Sequence, residues 1–263
     1  MQRPRFPAQM PEARNRTSPA KPISNGKPTA ARVGSRAAST MPGAGPQSLW
    51  LDSPALRQRM LHRLTAQGVS DPHVQAAMAD VQRHLFVDTA LVNQAYEDTS
   101  LPIGFGQTIS KPNVVARMLE LLRQGAAGRL GRVLEIGTGC GYQAAVLSHL
   151  ATEVYSIERI RGLHDRAREN LRSLRLPNVH LLFGDGMLGF AKGAPYAAII
   201  AAAGGESVPQ AWVEQLAMGG RIVAPMSAGG AKQALVVIDK TPQGVQHSVL
   251  EPVQFVPLKS GLA

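Results

Sequence analysis

The chain has a single cysteine, Cys140, among its 263 residues, and this scarcity excludes an intramolecular disulfide. No cluster of cysteine and histidine has the spacing of zinc ligands, so the sequence predicts no metal site. It also lacks an apolar run of about 18 residues, the length that a membrane-spanning helix needs, and its N-terminus lacks the apolar core of a secretory signal. These absences predict a protein of a reducing compartment, the cytoplasm, without membrane association.

Acidic residues are nearly absent from residues 1–46, where eight Lys and Arg residues accompany Glu12 alone. Because this segment is rich in Pro, Gly, Ser and Ala, it has little apolar surface to bury, and we predict a disordered basic tail. The tail either binds acidic partners weakly or is dispensable. The remainder has twenty basic and seventeen acidic residues, and aromatic residues are only 5% of the chain, so no specific nucleic-acid partner is expected.

Residues 47–263 are predicted to form one domain of the α/β class. Residues 47–125 read as a helical layer followed by a substrate loop, because apolar residues recur there at helical spacing before a glycine-rich stretch. Residues 126–263 alternate short apolar runs with helical stretches, which predicts a doubly wound, mostly parallel Rossmann-like sheet with an antiparallel C-terminal hairpin at its edge. The predicted strands are Arg132–Ile136, Val154–Ile157, Val179–Phe183, Ala197–Ala201, Arg221–Ala224, Gln233–Asp239 and Val249–Val256.

A glycine-rich loop follows the first of these strands and precedes a helical pattern. It contains Gly137, Thr138, Gly139 and Gly141, and such a loop lets the backbone approach a ligand closely. Nicotinamide and flavin enzymes use a similar loop, but their usual spacing brings a helix N-terminus onto a pyrophosphate. The Gly-x-Gly-x-Gly spacing and the preceding acid Glu135 instead favour S-adenosyl-L-methionine, which has no phosphate and carries a cationic sulfonium and an ammonium group.

Two further acids follow the next strands. Glu158 ends the second predicted strand, where its carboxylate accepts hydrogen bonds from both hydroxyls of a ribose in either class of cofactor. Asp185 and Gly186 follow the third strand, where the carboxylate is predicted to accept from an adenine amino group. Each acid alone is equally explained as a solvated loop residue, but three acids at successive strand exits indicate a nucleoside site.

A block of small and hydroxyl residues stands ahead of the sheet, Leu101-Pro-Ile-Gly-Phe-Gly-Gln-Thr-Ile-Ser-Lys-Pro112. Together with Glu-Ile-Gly-Thr-Gly-x-Gly-Tyr-Gln, Gly-Asp-Gly and Gly-Gly-Arg-Ile-Val-Ala-Pro, it resembles the protein-L-isoaspartate O-methyltransferase family from about Met60 onward. The resemblance implies methyl transfer from S-adenosyl-L-methionine to the free α-carboxylate of isoaspartyl residues in damaged proteins and peptides. It also implies that Ser110 is the active-site serine.

The predicted chemistry needs no general base, because a carboxylate is already ionised at neutral pH. Catalysis then depends on alignment and removal of water, and Thr108 and Ser110 suit it because their hydroxyls orient a carboxylate without adding charge. Ser110 is equally suited to cap the following helix, and the two roles are compatible.

Two departures from the family pattern concern the substrate side. The segment Ala201-Ala202-Ala203-Gly204 replaces the usual Val-Thr-Ala-Ala, and Gln254 stands where a basic residue often precedes Phe-Val-Pro-Leu. Neither lies in the cofactor loop. Two alternatives remain open at this stage: a methyltransferase for RNA or a small molecule, and a catalytically silent relative that binds cofactor or protein.

Overall fold

The computed structural model describes residues 54–227 and 232–263. The tail predicted over residues 1–46 lies outside them. The N-terminal helical layer consists of α1 (Pro54–Ala66), α2 (Pro72–Asp80) and α3 (Pro112–Arg123). The start of α2 shows why the layer forms: the carboxylate of Asp71 accepts hydrogen bonds from the backbone of His73 and Val74, and a proline occupies the first turn.

The segment predicted as a substrate loop contains a short antiparallel hairpin of β1 (Leu101–Gly104) and β2 (Gln107–Ile109). These two strands were not predicted, because strands of three or four residues are too short to show an alternating pattern in the sequence. The tip is Phe105, whose φ of +53° is in the left-handed region and is reached between two glycines.

The main sheet has seven strands in the described part of the chain, in the order β5-β4-β3-β6-β7-β8-β9. Strands β3 to β7 pair in parallel, and β7, β8 and β9 pair antiparallel, so the predicted edge hairpin is confirmed. The last strand, however, begins earlier and ends earlier than predicted. The elements are β3 (Leu130–Ile136), α4 (Tyr142–Leu150), β4 (Ala151–Glu158), α5 (Arg161–Arg172), β5 (Val179–Phe183), β6 (Tyr196–Ala201), α6 (Gln210–Gln215), β7 (Leu216–Ser227), β8 (Gln233–Thr241) and β9 (Gly244–Val253).

Alternation along the buried strands divides the core between the two faces of the sheet. In β6, Ala198 and Ile200 join the cluster formed with α1 to α5, whereas Ile199 and Ala201 join the cluster that contains Trp212 of α6. Because successive side chains point to opposite faces, a strand covered on both sides reads as a continuous apolar run. This pattern confirms the predicted doubly wound α/β class.

The order in which the chain adds strands to the sheet reverses beside β3. It runs outward from β3 through β4 to β5 and then returns to place β6 on the other side of β3. In open α/β sheets, the crevice at this switch point is where ligands bind. The predicted glycine loop leaves β3 at that crevice. Within the described ranges, no helix has the length and apolarity to cross a bilayer, and no group of side chains is suited to hold a metal ion.

Candidate active site

A cavity of about 860 Å³ opens at the switch point, between the glycine loop, the β1–β2 hairpin and a C-terminal segment. Glu135, Gly141 and Asp185 are predicted site residues that do not line its wall. Seven others do: Thr108, Ser110, Gly137, Thr138, Gly139, Glu158 and Gly186. The fold thus brings predicted residues from four separate stretches of the sequence to one cavity.

The glycine loop and the acid at the end of β4 are joined by backbone hydrogen bonds. One carboxylate oxygen of Glu158, Oε2, accepts from the amide of Gly139 at 2.9 Å, and Oε1 accepts from the amide of Ile160 at 2.9 Å. Gly137 and Gly141 have φ near +90°, which lets the loop turn sharply from β3 into α4. The carboxylate is therefore buried and held rigidly, with further lone pairs available to a ligand.

Glu135 lies behind the loop at the end of a buried polar chain. Its Oε2 accepts from the hydroxyl of Ser156, which is 2.6 Å from the hydroxyl of Thr138. Burial raises the pKa of Glu135 to about 8, although Ser156 and the nearby amide of Gln143 act in the opposite direction. Glu135 Oε1 and Gln143 Nε2 are both buried without a hydrogen-bond partner among the described residues.

Asp185 is occupied by bonds within the chain. Its Oδ1 accepts from the amide of Met187 at 2.9 Å, and its Oδ2 accepts from the amide of Gly261 at 2.6 Å. Its carboxylate lies beside the cavity rather than on its wall, so an adenine contact remains a prediction. Gly186 does line the cavity, and a Cβ there would lie 2.5 Å from Ile136 Cγ2, so this position accepts no side chain without movement of β3.

Thr108 and Ser110 both lie on the hairpin side of the cavity. Thr108 is exposed and Ser110 is half-buried, and neither hydroxyl bonds to another residue in the part of the chain that the structure describes. The alternative assignment of Ser110 as a helix cap is wrong: Lys111 occupies the cap position of α3, and no side chain makes a capping bond there. The two hydroxyls are thus free to bind a ligand.

The tip of the hairpin is docked on α5. A Cβ at Gly162 would lie 2.1 Å from Phe105 Cζ, so the aromatic ring rests directly on the backbone of the first turn of α5. Arg166, one turn further along, donates to the carbonyl of Ile103 at 2.7 Å. These two contacts close the cavity on the side of the predicted substrate residues.

The C-terminal segment, residues 256–263, forms another wall of the cavity. Its backbone amides donate to the exits of three strands: Leu258 to the carbonyl of Gly204, Gly261 to Asp185, and Ala263 to the carbonyl of Arg159. Gly204 belongs to one departure from the family pattern, and a Cβ there would collide with the side chain of Gln233.

Three residues at the site escaped the sequence analysis. Ser156 is an interior residue of β4 with no pattern to mark it, and Phe105 is an aromatic residue in a glycine-rich block. Gln143 follows the glycine loop directly, and its position in the family block was the one available signal. The C-terminal wall includes Val256, Pro257 and Leu258, which belong to the Phe-Val-Pro-Leu segment that the family resemblance predicts to line the peptide-substrate groove.

A Rossmann-like sheet with this loop and with a clamped acid at the next strand exit defines the class of S-adenosylmethionine-dependent methyltransferases. Comparison with family models narrows the class. Residues 55–263 match the family described as protein-L-isoaspartate(D-aspartate) O-methyltransferase (PCMT), and the chain belongs to that family. It is an enzyme of the carboxyl methyltransferase type.

Individual relatives agree with the family assignment. The chain is 63% identical over 215 residues to the protein-L-isoaspartate O-methyltransferase of Leptothrix cholodnii. The alignment covers 80% of this chain and 76% of that protein. It is 61% identical over 222 residues to the enzyme of the same name from Methylibium petroleiphilum. That alignment covers 83% of this chain and 82% of the relative.

Solved structures agree on the fold. A protein-L-isoaspartate O-methyltransferase superposes with a TM-score of 0.71 at 29% identity, over 78% of this chain and 67% of that one. A putative protein-L-isoaspartate O-methyltransferase from Plasmodium falciparum, in complex with S-adenosyl-L-homocysteine, superposes with a TM-score of 0.68 at 24% identity, over 77% and 98%. The mostly parallel sheet with an antiparallel edge is thus shared.

Proposed function

We propose that this protein transfers the methyl group of S-adenosyl-L-methionine to the free α-carboxylate of L-isoaspartyl residues in damaged proteins and peptides. The resulting ester closes to a succinimide, whose hydrolysis returns some normal aspartate. Family membership supports the reaction. The observation that carries the assignment of roles is that two unbonded hydroxyls, Thr108 and Ser110, line the same cavity as the glycine loop and Glu158.

The chain has groups that suit the methyl donor. Glu158 accepts from the two ribose hydroxyls in this proposal, which is supported by the backbone amides that fix both of its oxygens. Gln143 lines the cavity, and its unpartnered donor Nε2 suits a carboxylate. Glu135 lies behind the loop, where its charge, once it is ionised, favours an ammonium in the cavity. The glycines of the loop and Gly186 leave space that a Cβ would fill.

S-adenosyl-L-methionine, when bound, supplies a methyl group on a sulfonium, and its transfer leaves a neutral thioether. The carboxylate oxygen forms the new bond to the methyl carbon with its own electron pair, so no proton has to be moved. Thr108 and Ser110 donate to this carboxylate and orient one of its oxygens. Apolar residues of the wall, including Ile109 and Val115, exclude water from the nucleophile.

Paired synthetic peptides that differ only in an isoaspartyl or aspartyl linkage test the substrate. With labelled donor, we expect methylation of the isoaspartyl peptide alone, and equal labelling of both peptides would contradict the proposal. Ser110→Ala removes one hydrogen bond to a charged group, so kcat/KM should fall about 10- to 100-fold. The affinity for S-adenosyl-L-homocysteine should remain within about twofold of the wild type.

Ser248→Ala is the matched control, because Ser248 is an exposed serine on β9 that does not line the cavity. It should leave kcat/KM unchanged. If Ser110→Ala and Ser248→Ala have the same activity, the role of Ser110 is wrong.

We further propose that the protein works in the cytoplasm and that residues 1–46 bind acidic partners weakly. The first proposal is supported by Cys140, a buried cysteine without a disulfide. The second is supported by the excess of basic residues in the tail. Association of the tail with acidic partners should weaken as salt increases, and binding that is insensitive to salt would contradict it.

A further inference from the structure

Arg83 is a fully buried arginine that is bonded to the backbone of the predicted active-site serine. It begins a 3₁₀ turn, Arg83–Phe86, and its side chain has no exposed surface. Its Nε donates to the carbonyl of Ala95 at 2.8 Å, and its Nη2 donates to the carbonyl of Ser110 at 2.7 Å. Its Nη1 is buried without a hydrogen-bond partner in the described residues. The guanidinium is therefore bonded to the backbone of Ser110 but does not itself line the cavity.

The positive charge of Arg83 is not paired with a carboxylate. None of the ion pairs among the described residues includes it, and Asp98 acts on it only weakly. Its carbon Cζ lies 4.8 Å from the centroid of the Tyr142 ring, whose hydroxyl is also buried and unpartnered. Burial lowers the pKa of Arg83, but a guanidinium stays protonated at neutral pH.

A second buried arginine, Arg123, is paired with a carboxylate, as buried charges usually are. The side chain of Arg123 is 2% exposed; its Nε lies 2.9 Å from the carboxylate of Asp71, and its Nη1 donates to the carbonyl of Gly128. Buried charges are normally paired in this way, because an isolated one is strongly destabilising. Arg83 has two carbonyl partners and no anion, although it lies next to the site where an anionic carboxylate is proposed to bind.

We propose that Arg83 is a positioning residue for the substrate carboxylate. Its Nη2 fixes the backbone of Ser110 and thereby the direction of the serine hydroxyl, and its unpaired charge favours an anionic acceptor at that hydroxyl. This inference rests on the proposed function, because it assigns the carboxylate to Ser110. Arg83 does not line the cavity, so its effect on the substrate is transmitted through Ser110 and through the electric field of its charge.

Two substitutions separate the charge from the hydrogen bonds. Arg83→Met removes both and keeps an apolar chain of related length, so KM for the isoaspartyl peptide should rise about tenfold or more. Arg83→Lys keeps the charge but replaces the planar guanidinium, with its several N–H donors, by a single ammonium nitrogen. We expect the KM of Arg83→Lys to lie close to that of the wild type, whereas its kcat stays below the wild-type value. In both variants, the Kd for S-adenosyl-L-homocysteine, measured by calorimetry, should change less than about twofold.

Arg123→Lys is the matched control, because it makes the same substitution at a buried arginine that does not contact Ser110. It should lower the unfolding temperature without changing KM for the peptide. The proposal is overturned if Arg83→Met has the KM of the wild type, or if KM and the Kd for S-adenosyl-L-homocysteine rise in parallel.

If Arg83→Met does not fold, the double variant of Arg83→Lys with Ser110→Ala decides the question. Because Arg83 is proposed to act through Ser110, the two effects on kcat/KM should be less than additive, and strict additivity overturns the proposal. A wild-type protein that fails to methylate the isoaspartyl peptide refutes the proposed function instead. Normal wild-type turnover with an unaltered KM in Arg83→Met refutes this inference alone.

Discussion

Filling the donor site should release close to one proton from Glu135. In the protein without ligand, burial raises the pKa of this carboxyl from its ordinary 4.5 to about 8, so at pH 7 it is about 90% protonated. Glu135 lies behind the glycine loop, and the ammonium of a donor bound in the adjacent cavity favours its ionised form through the charge of the cation. If binding returns the pKa to below about 5, roughly 0.9 proton leaves per molecule bound at pH 7.

Calorimetry in buffers of different ionisation enthalpy measures this number directly, with S-adenosyl-L-homocysteine as the ligand. We expect roughly 0.9 proton released at pH 7 and much less at pH 9, where Glu135 is already ionised. Glu135→Gln should abolish the release. Glu214→Gln, a change of an exposed glutamate on α6, should not affect it. Release that persists in Glu135→Gln, or that is absent from the wild type, would refute the reasoning.

The same group makes stability depend on pH without any ligand. Because the folded-state pKa is raised, folding takes up a proton between pH 4.5 and pH 8, and the unfolding free energy falls as pH rises through that window. The contribution is about 1.4 kcal/mol per pH unit. Urea unfolding of Glu135→Gln should lack this component of the slope, and an identical slope in both proteins would count against a buried neutral carboxyl.

Three other expectations follow from the site and the sequence. Glu158→Gln removes a charged acceptor for two hydroxyls, so the Kd for S-adenosyl-L-homocysteine should rise about 10- to 100-fold, and an unchanged Kd would exclude a ribose contact. Gly186→Ala forces a Cβ to within 2.5 Å of Ile136, so urea unfolding should show a loss of about 1–3 kcal/mol. Deletion of residues 1–46 should leave turnover on a neutral isoaspartyl peptide intact, and a large loss would make the tail part of the site.

The sheet and its loop were predictable because their signals are local. Parallel strands buried on both faces form short apolar runs, as β6 shows: the run predicted over Ala197–Ala201 is observed as Tyr196–Ala201, and all but one of its residues are buried. The glycines after Ile136 mark a turn that requires positive φ, and the observed values near +90° at Gly137 and Gly141 meet that requirement. The acidic residues at the carboxyl ends of β3 and β4, Glu135 and Glu158, were then candidates for binding the cofactor.

The rest of the site was not predictable, because it depends on contacts between distant segments. Nothing in the sequence around Arg83 indicates that its guanidinium bonds to the carbonyl of Ser110, 27 residues later. Ser156 links Thr138 to Glu135 only after β3 and β4 have paired in register. The hydroxyl pair at Thr108 and Ser110 came instead from the family resemblance, since a serine before a proline-initiated helix is locally indistinguishable from a cap.

The C-terminal wall has a dynamic consequence. The amides of Leu258, Gly261 and Ala263 are each bonded to the exit of a different strand, β6, β5 and β4 respectively. Detachment of this segment therefore breaks all three bonds in a single local opening event, without unfolding the sheet. The three amide protons should then exchange with deuterium at one common rate, and that rate sets the frequency with which the cavity becomes accessible from this side.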